Sequence, residues 1–442
     1  MSHPIVIVGA SMGGLRAAES LRKGGYQGAL VVIGAEPHAP YNRPPLSKEV
    51  LAEHVDHAAV AFALPAALDD VEWMLGSAVV GANLEAHSVT TAAGRVITYS
   101  SLIIATGLRS RRLDFDPMPT HGRHAIRTLD DATALRSELT PGARVVVYGA
   151  GFIGCEAAAT ARKLGAEVTV VGQGAVALLR PLGRELARDI QSRHEAHGVR
   201  FIMNSRLVAV SGTQKVAGVV LESGEVIECD VLIEAIGSLP NVEFLHGNDI
   251  DIESGIHIDS SLHALRVNGE PWRNVFAIGD VARFPIPQFS ESSRRVEHWN
   301  IPTEMGRQVG KLLAAESIAD ATPANQPVNQ PVKQFAPIPS FWSDQFEVSL
   351  LAYGLLDQAD DIRLIEGAVG ENCVYGYYRG DSLVGVCGIG LRSKIMGYRN
   401  SVGLVATVAA VPAFGVVPAV GVVPAVAVGV AAGAGAGAGA AI

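Results

Sequence analysis

Residues 143–172 read ARVVVYGAGFIGCEAAATARKLGAEVTVVG. An apolar, β-branched run from Arg144 to Tyr148 leads into glycines at 149, 151 and 154. An alanine-rich stretch and a second apolar run follow, ending at Gly172. Strand, glycine turn, helix and strand in that order predict a parallel βαβ unit. Its turn sets a helix N-terminus, with unpaired N–H groups and the positive end of the dipole, where a pyrophosphate can sit. The spacing Gly149-x-Gly151-x-x-Gly154 is a complete dinucleotide fingerprint.

The same pattern occurs earlier. Residues 4–25 read PIVIVGASMGGLRAAESLRKGG, and ALVVIGAE follows, ending at Glu36. Here the turn is Gly9-x-Ser11-x-x-Gly14, with Gly13 inside it. Ser11 stands where the middle glycine lets backbone approach phosphate; it is the next smallest residue, and its hydroxyl can donate to phosphate. One such motif is weak evidence, but two in full strand–turn–helix–strand context outweigh coincidental glycine turns. The fold class is therefore α/β, with two Rossmann-like dinucleotide-binding domains. Two dinucleotide sites imply a flavin and a nicotinamide, because hydride exchange is the common reason to bind both. Glu36 ends the first unit where a carboxylate accepts from a ribose diol; the competing reading is a solvated loop carboxylate. Ser101-LIIATG ends a strand at Thr106 and Gly107, and Val275-FAIGDVA closes on Asp280. Asp280 is placed either to meet a flavin polyol or to cap a following helix.

A chain of 442 residues exceeds one core, and hydrophobic residues at 48% with charged residues at 18% are ordinary for a globular protein. The net charge of -9 argues against nucleic acid as a partner. Cys155, Cys229, Cys373 and Cys387 are scattered, so they predict reduced thiols in the cytoplasm and no metal site. The opening MSHPIVIVGA runs straight into a strand pattern, which predicts no signal peptide.

Beyond these units, the chain carries RPPLSK (Arg43 to Lys48), RTLDDA (Arg127 to Ala132), AIGSLPN (Ala235 to Asn241), VEHW (Val296 to Trp299) and PSFWSDQ (Pro339 to Gln345). With these marks the sequence from Pro4 to about Asn400 resembles the bacterial ferredoxin reductases, putidaredoxin-reductase-like members of the pyridine nucleotide–disulfide oxidoreductase superfamily. The resemblance implies FAD contacts at Gly13, Glu36, Lys48, Val79, Arg127, Asp280 and Trp299. It sets Lys48 beside the reactive edge of the flavin, Glu156 near the nicotinamide, and Trp342 facing the flavin from a C-terminal domain. The expected cofactor-binding set is completed by Gly9, Ser11, Gly14, Arg43, Thr106, Gly107, Gly149, Gly151, Gly154 and Gly237. Lys48, Glu156 and Trp299 are the expected catalytic residues. By chemistry, Lys48 is a fixed cation suited to charge developing on reduced flavin, stiffened by Pro44 and Pro45. Glu156, two residues past Gly154, reads as a first-turn residue. There, stabilisation of the helix dipole competes with binding the nicotinamide amide. Trp299 and Trp342 are by residue type core side chains, and only their motifs suggest flavin contact.

Disulfide reductases of the superfamily place a CxxxxC pair on the helix after the first glycine motif. The first cysteine here is Cys155, in the second unit, so the electrons are expected to leave the flavin directly. The resemblance implies a small acidic [2Fe–2S] ferredoxin as acceptor and NADH or NADPH as donor, with an oxygenase downstream. The alternatives are a flavin NAD(P)H oxidase and a rubredoxin reductase. The expected layout is an FAD domain of residues 1–115 and 243–325, a nucleotide domain of 116–242, and a small C-terminal α/β domain of 326–400. The tail 401–442 is uncharged, with repeated VPA steps and then alternating Gly and Ala. It reads as disordered rather than as a membrane anchor. NAD-specific members carry an acid at the end of the second nucleotide strand, where this chain has Gly172; weak coenzyme discrimination follows, with NADH favoured and Arg180 the cation able to reach back. Arg109, Arg111, Arg112, Arg294 and Arg295 form a candidate docking patch unless carboxylates such as Asp114, Asp116 and Glu291 neutralise them.

Overall fold

The computed structural model describes residues 3–53, 55–321 and 334–404. The proline-rich stretch from residue 325 and nearly all of the uncharged tail lie outside the described residues. Among the described residues no helix is long and apolar enough to cross a membrane.

Ile5–Val8, buried throughout, lies at the centre of a six-stranded sheet. Leu30–Ile33 pairs parallel on one side and Ser101–Ile104 on the other. A strand buried on both faces needs apolar residues at every position, and the IVIV, LVVI and SLII runs supply them. The sheet continues through Glu72–Met74 at one edge and through Pro271–Ala277 at the other, with His263–Leu265 as the antiparallel outer strand. Two of its strands thus come from more than 150 residues later in the chain than the third.

Between them lies a second sheet, five strands all parallel, in the order Arg200–Ile202, Glu167–Val171, Arg144–Tyr148, Val231–Glu234, Arg123–His124. The chain passes between the two sheets twice. The two passages pair antiparallel as Leu108–Ser110 with Ser238–Pro240. The third sheet is antiparallel throughout, in the order Ser340–Gln345, Val348–Gly354, Ser382–Ile389, Cys373–Arg379, Asp361–Gly367. Tyr375, Tyr377, Val384 and Val386 are buried in it, and a short helix, Arg392–Tyr398, follows. This C-terminal unit is made of hairpins rather than βαβ crossovers.

Each glycine turn launches a twelve-residue helix, Met12–Lys23 and Phe152–Lys163. The first packs along Asn300–Ala321. That crossing is close because a Cβ on Gly306 would stand 2.6 Å from the Gly13 carbonyl oxygen, and one on Gly310 2.6 Å from that of Ala17.

Candidate functional site

Both glycine turns open on one cleft of about 1440 Å³. Gly9, Ser11 and Gly13 line it from the first turn, and Gly151, Phe152 and Glu156 from the second. Gly9 and Gly149 sit at φ +124° and +115°, where L side chains are strained, and a Cβ on either would lie 2.1 Å from a carbonyl oxygen of the neighbouring strand end. Gly14 and Gly154 do not line the cleft. A Cβ there would meet the carbonyl oxygen of Gly9 at 2.0 Å or of Gly149 at 1.9 Å, so they allow helix and strand to touch. The middle position is different. A Cβ on Gly151 would meet nothing within 4 Å, and Ser11 occupies the matching place at φ -130°. Serine therefore fits there without strain.

At the first turn's end of the cleft, Glu36 is anchored rather than solvated. Arg43 donates to it at 2.5 Å and the Tyr41 hydroxyl at 2.5 Å. Arg43 also reaches the Ser11 hydroxyl at 3.3 Å and the Arg127 carbonyl at 2.8 Å. These bonds tie the glycine turn, the strand end and the RTLDDA segment together, and a carboxylate keeps acceptor capacity beyond two donors. Val79, Thr106, Gly107, Arg127, Gly237, Asp280, Trp299 and Trp342 all line the same cleft. Asp280 does not cap a helix: a strand, Ala282–Ile286, follows it. Burial pushes its carboxyl up, opposed by Arg127 at 3.5 Å. Trp299 and Trp342 meet edge to face, centroids 5.8 Å apart, and Trp299 is 39% exposed at the cleft.

Lys48 and Glu156 come together. The proline pair starts a single 3₁₀ turn, Pro44–Ser47, that delivers Lys48 into the cleft. Its ammonium lies 2.6 Å from Glu156 Oε2 and donates to the Pro44 carbonyl at 3.2 Å. Glu156 is the fifth residue of its helix, not a first-turn residue as its distance from Gly154 suggests, because the helix already begins at Phe152. Its carboxylate is 4% exposed, and a buried charge needs partners more than it needs a dipole. The partners are Lys48, the Ser47 hydroxyl at 2.5 Å and the Ser343 hydroxyl at 2.5 Å. Sequence reasoning missed both serines; Ser47 lies within RPPLSK and Ser343 within PSFWSDQ, so motif membership was the available signal. It also missed an aromatic ladder. Phe341 lies 5.1 Å from Phe152 and 5.0 Å from His298, and all three line the cleft.

The other end of the second βαβ unit bears on the coenzyme. Gly172 follows the strand Glu167–Val171, and a Cβ there would lie 2.9 Å from Ala150 Cβ and 2.8 Å from Met203 Cε. Arg180 lines the cleft. Of the five arginines considered for docking, four are paired, with carboxylates other than those expected. Arg109 binds Glu243 at 2.5 Å, Arg112 binds buried Glu234 at 3.0 Å, Arg294 binds Asp357, and Arg295 binds Glu297 at 3.1 Å. The first three of these pairs join segments far apart in the chain, which separation in sequence hides, whereas Arg295 and Glu297 are only two residues apart. All four cysteines are buried, and burial pushes the Cys155 and Cys229 thiols up to about 12. Among the described residues no group of His, Cys, Asp and Glu is arranged to hold a metal ion.

Residues 3–306 match the pyridine nucleotide-disulphide oxidoreductase family, and residues 340–413 match the family described as reductase C-terminal. Rhodocoxin reductase of Rhodococcus erythropolis is 33% identical over 83% of this chain and 81% of its own length. The ferredoxin–NAD(+) reductase component of the anthranilate 1,2-dioxygenase system of Burkholderia cepacia is 32% identical over 89% of this chain and 92% of its own. Among solved structures, a ferredoxin reductase from Rhodopseudomonas palustris superposes with a TM-score of 0.80 at 31% identity, covering 90% of this chain and 94% of that one. A chain of the covalent putidaredoxin reductase–putidaredoxin complex superposes with a TM-score of 0.80 at 26% identity, covering 90% and 92%.

Proposed function

Because the chain belongs to the pyridine nucleotide-disulphide oxidoreductase family, we propose that it is an FAD-dependent NAD(P)H:ferredoxin reductase that supplies an oxygenase. The observation that carries this reading is the single cleft lined by both glycine turns, which brings two dinucleotides to one place. Its volume exceeds the 300–1,000 Å³ usual for one small ligand. The glycine cradles, the two helix N-termini and the anchored Glu36 fit FAD at the first turn and a nicotinamide dinucleotide at the second. The chemistry a flavin held there would supply is acceptance of a hydride from NAD(P)H and release of the two electrons one at a time to iron–sulfur acceptors, with the proton going to solvent.

The chain's own residues do the rest. Gly9, Ser11 and Gly13 would hold the FAD pyrophosphate, with Glu36 on the adenosine ribose and Asp280 on the polyol. Lys48, clamped by Glu156, sets a positive charge at the reacting edge. Gly151 and Gly237 would border the nicotinamide dinucleotide. Trp299 and Trp342 close the side of the cleft between the first and third sheets. The buried, unreactive thiols leave no dithiol relay among the described residues, so electrons pass to an external carrier. We place the reaction in the cytoplasm, where NAD(P)H is available, and assign the FAD domain to residues 1–115 and 243–325 and the nucleotide domain to 116–242. Relatives named rubredoxin–NAD(+) reductase, such as that of Pseudomonas putida at 30% identity over 81% of this chain, favour rubredoxin as a second acceptor.

The test is NADH-dependent cytochrome c reduction by the purified flavoprotein, alone and with a [2Fe–2S] ferredoxin or a rubredoxin added. Strong stimulation by the ferredoxin is expected. Fast oxygen consumption without any added carrier would instead identify an oxidase.

A further inference from the structure

Behind the Lys48–Glu156 pair lies a line of buried side chains that does not border the cleft. Ser343 Oγ is 2.5 Å from Glu156 Oε1, Gln345 Nε2 is 2.8 Å from Ser343 Oγ, and His194 Nε2 is 2.8 Å from Gln345 Oε1. Ser343 and His194 are fully buried, and Gln345 is 2% exposed. The line runs from the second glycine helix, across the first strand of the third sheet, to the helix Arg184–Ala196.

Its hydrogen bonds can point only one way. An ionised carboxylate accepts and never donates, so the Ser343 hydroxyl donates to Glu156. The serine oxygen then accepts from the Gln345 amide nitrogen, and the Gln345 oxygen accepts from His194 Nε2–H. Turning the amide round would draw the serine proton away and leave a buried carboxylate oxygen bare. Burial holds the His194 imidazole below its usual range, so it is neutral, with its one proton on Nε2. The other ring nitrogen, Nδ1, is buried without a partner among the described residues. Each link fixes the next, and the last fixes which oxygen Glu156 turns to Lys48.

We propose that Ser343, backed by Gln345 and His194, is the positioning residue of the Lys48–Glu156 pair. Through it the C-terminal sheet sets the rate of hydride transfer from a place that touches neither nucleotide. This rests on the reading of the cleft given above. It also gives the PSFWSDQ segment two separate duties: Trp342 faces the cleft, while Ser343 and Gln345 face the ion pair behind it.

The experiment is anaerobic stopped-flow reduction of the full-length FAD-loaded protein by NADH, with Ser343→Ala, Ser343→Thr, Gln345→Leu, Glu156→Gln and the Ser343→Ala/Glu156→Gln double variant. Loss of one buried donor predicts a limiting rate about tenfold lower in Ser343→Ala, with the apparent Kd for NADH changed less than about twofold. Ser343→Thr restores most of the rate. Gln345→Leu, which keeps the hydroxyl and removes its support, gives a smaller loss of the same kind. In the Glu156→Gln background Ser343→Ala has no further effect, because residues that act through one another are not additive. The proposal is overturned if the two losses multiply, if threonine fails to rescue, or if Ser343→Ala reduces at the normal rate. A Glu156→Gln protein that reduces normally overturns the reading of the ion pair itself, and this proposal with it.

Discussion

Gly14 and Gly151 occupy different places in two similar motifs and carry different loads. A Cβ on Gly14 collides with the Gly9 carbonyl oxygen at 2.0 Å, a backbone atom that cannot swing away. Gly14→Ala is therefore expected to lose bound FAD, measured as visible flavin absorbance per mole of purified protein. Gly151 has open space where its Cβ would be, and Ser11 already fills the matching site. Gly151→Ser should fold with unchanged Tm and keep its KM for NADH within about threefold. His298 makes a pH prediction. Burial and nearby Arg294 pull its imidazole down to about 4, so between that pH and its ordinary value near 6.5 the unfolded chain binds the extra proton. His298 thus contributes stability that is present above about pH 6.5 and lost as pH falls towards 4. A plot of Tm against pH should be flatter across that window in His298→Asn.

The contact between the first glycine helix and Asn300–Ala321 is the element on which the flavin end of the cleft rests. Gly306 and Gly310, one turn apart, let backbone meet backbone, and the Ser20 hydroxyl donates to the Arg307 carbonyl at 2.7 Å across the same seam. Pro302, early in the longer helix, and Ile278 line the cleft and lie 3.5 Å from where a Gly13 Cβ would be. Gly310→Val must push the helices apart, at a cost of about 2 kcal/mol. For a chain of this size that lowers Tm by roughly 2 °C. Differential scanning calorimetry of the holoprotein would check it, and FAD should dissociate more readily from the variant.

Across the whole molecule the cleft decides coenzyme choice, and the surface decides docking. Gly172 cannot be exchanged for a ribose-binding acid without displacing Ala150 or Met203, so Gly172→Asp is expected to destabilise the protein rather than create NADH specificity. For the wild-type chain kcat/KM should favour NADH over NADPH by less than about tenfold, and Arg180→Ala should lower the NADPH value more than the NADH value. The arginines separate in the same manner. Arg294 is held by Asp357 and lines the cleft, so Arg294→Glu should lower both ferricyanide and ferredoxin turnover. Arg111, which among the described residues is engaged through its backbone N–H to the Gly237 carbonyl, is the one of the five suited to docking. Arg111→Glu should raise KM for ferredoxin, most at low salt, and leave ferricyanide turnover unchanged.

The sequence by itself determined the two βαβ units and the glycine turns, because strand, turn and helix are local patterns whose residues are neighbours in the chain. It also determined most of the cleft lining, because RPPLSK, AIGSLPN, VEHW and PSFWSDQ are contiguous segments carried by strand ends and turns. What Glu156 does was not legible. Counting from Gly154 left a helix-end carboxylate and a contact to the nicotinamide amide both open, whereas Lys48, 108 residues earlier, and Ser343, 187 residues later, make it a buried ion pair. The pairing of Arg109, Arg112 and Arg294 was hidden for the same reason. Spacing along a chain reports periodicity and turn chemistry, while the partner of a buried charge is chosen by whichever segments the fold brings within hydrogen-bond reach. Only the tertiary structure decided that.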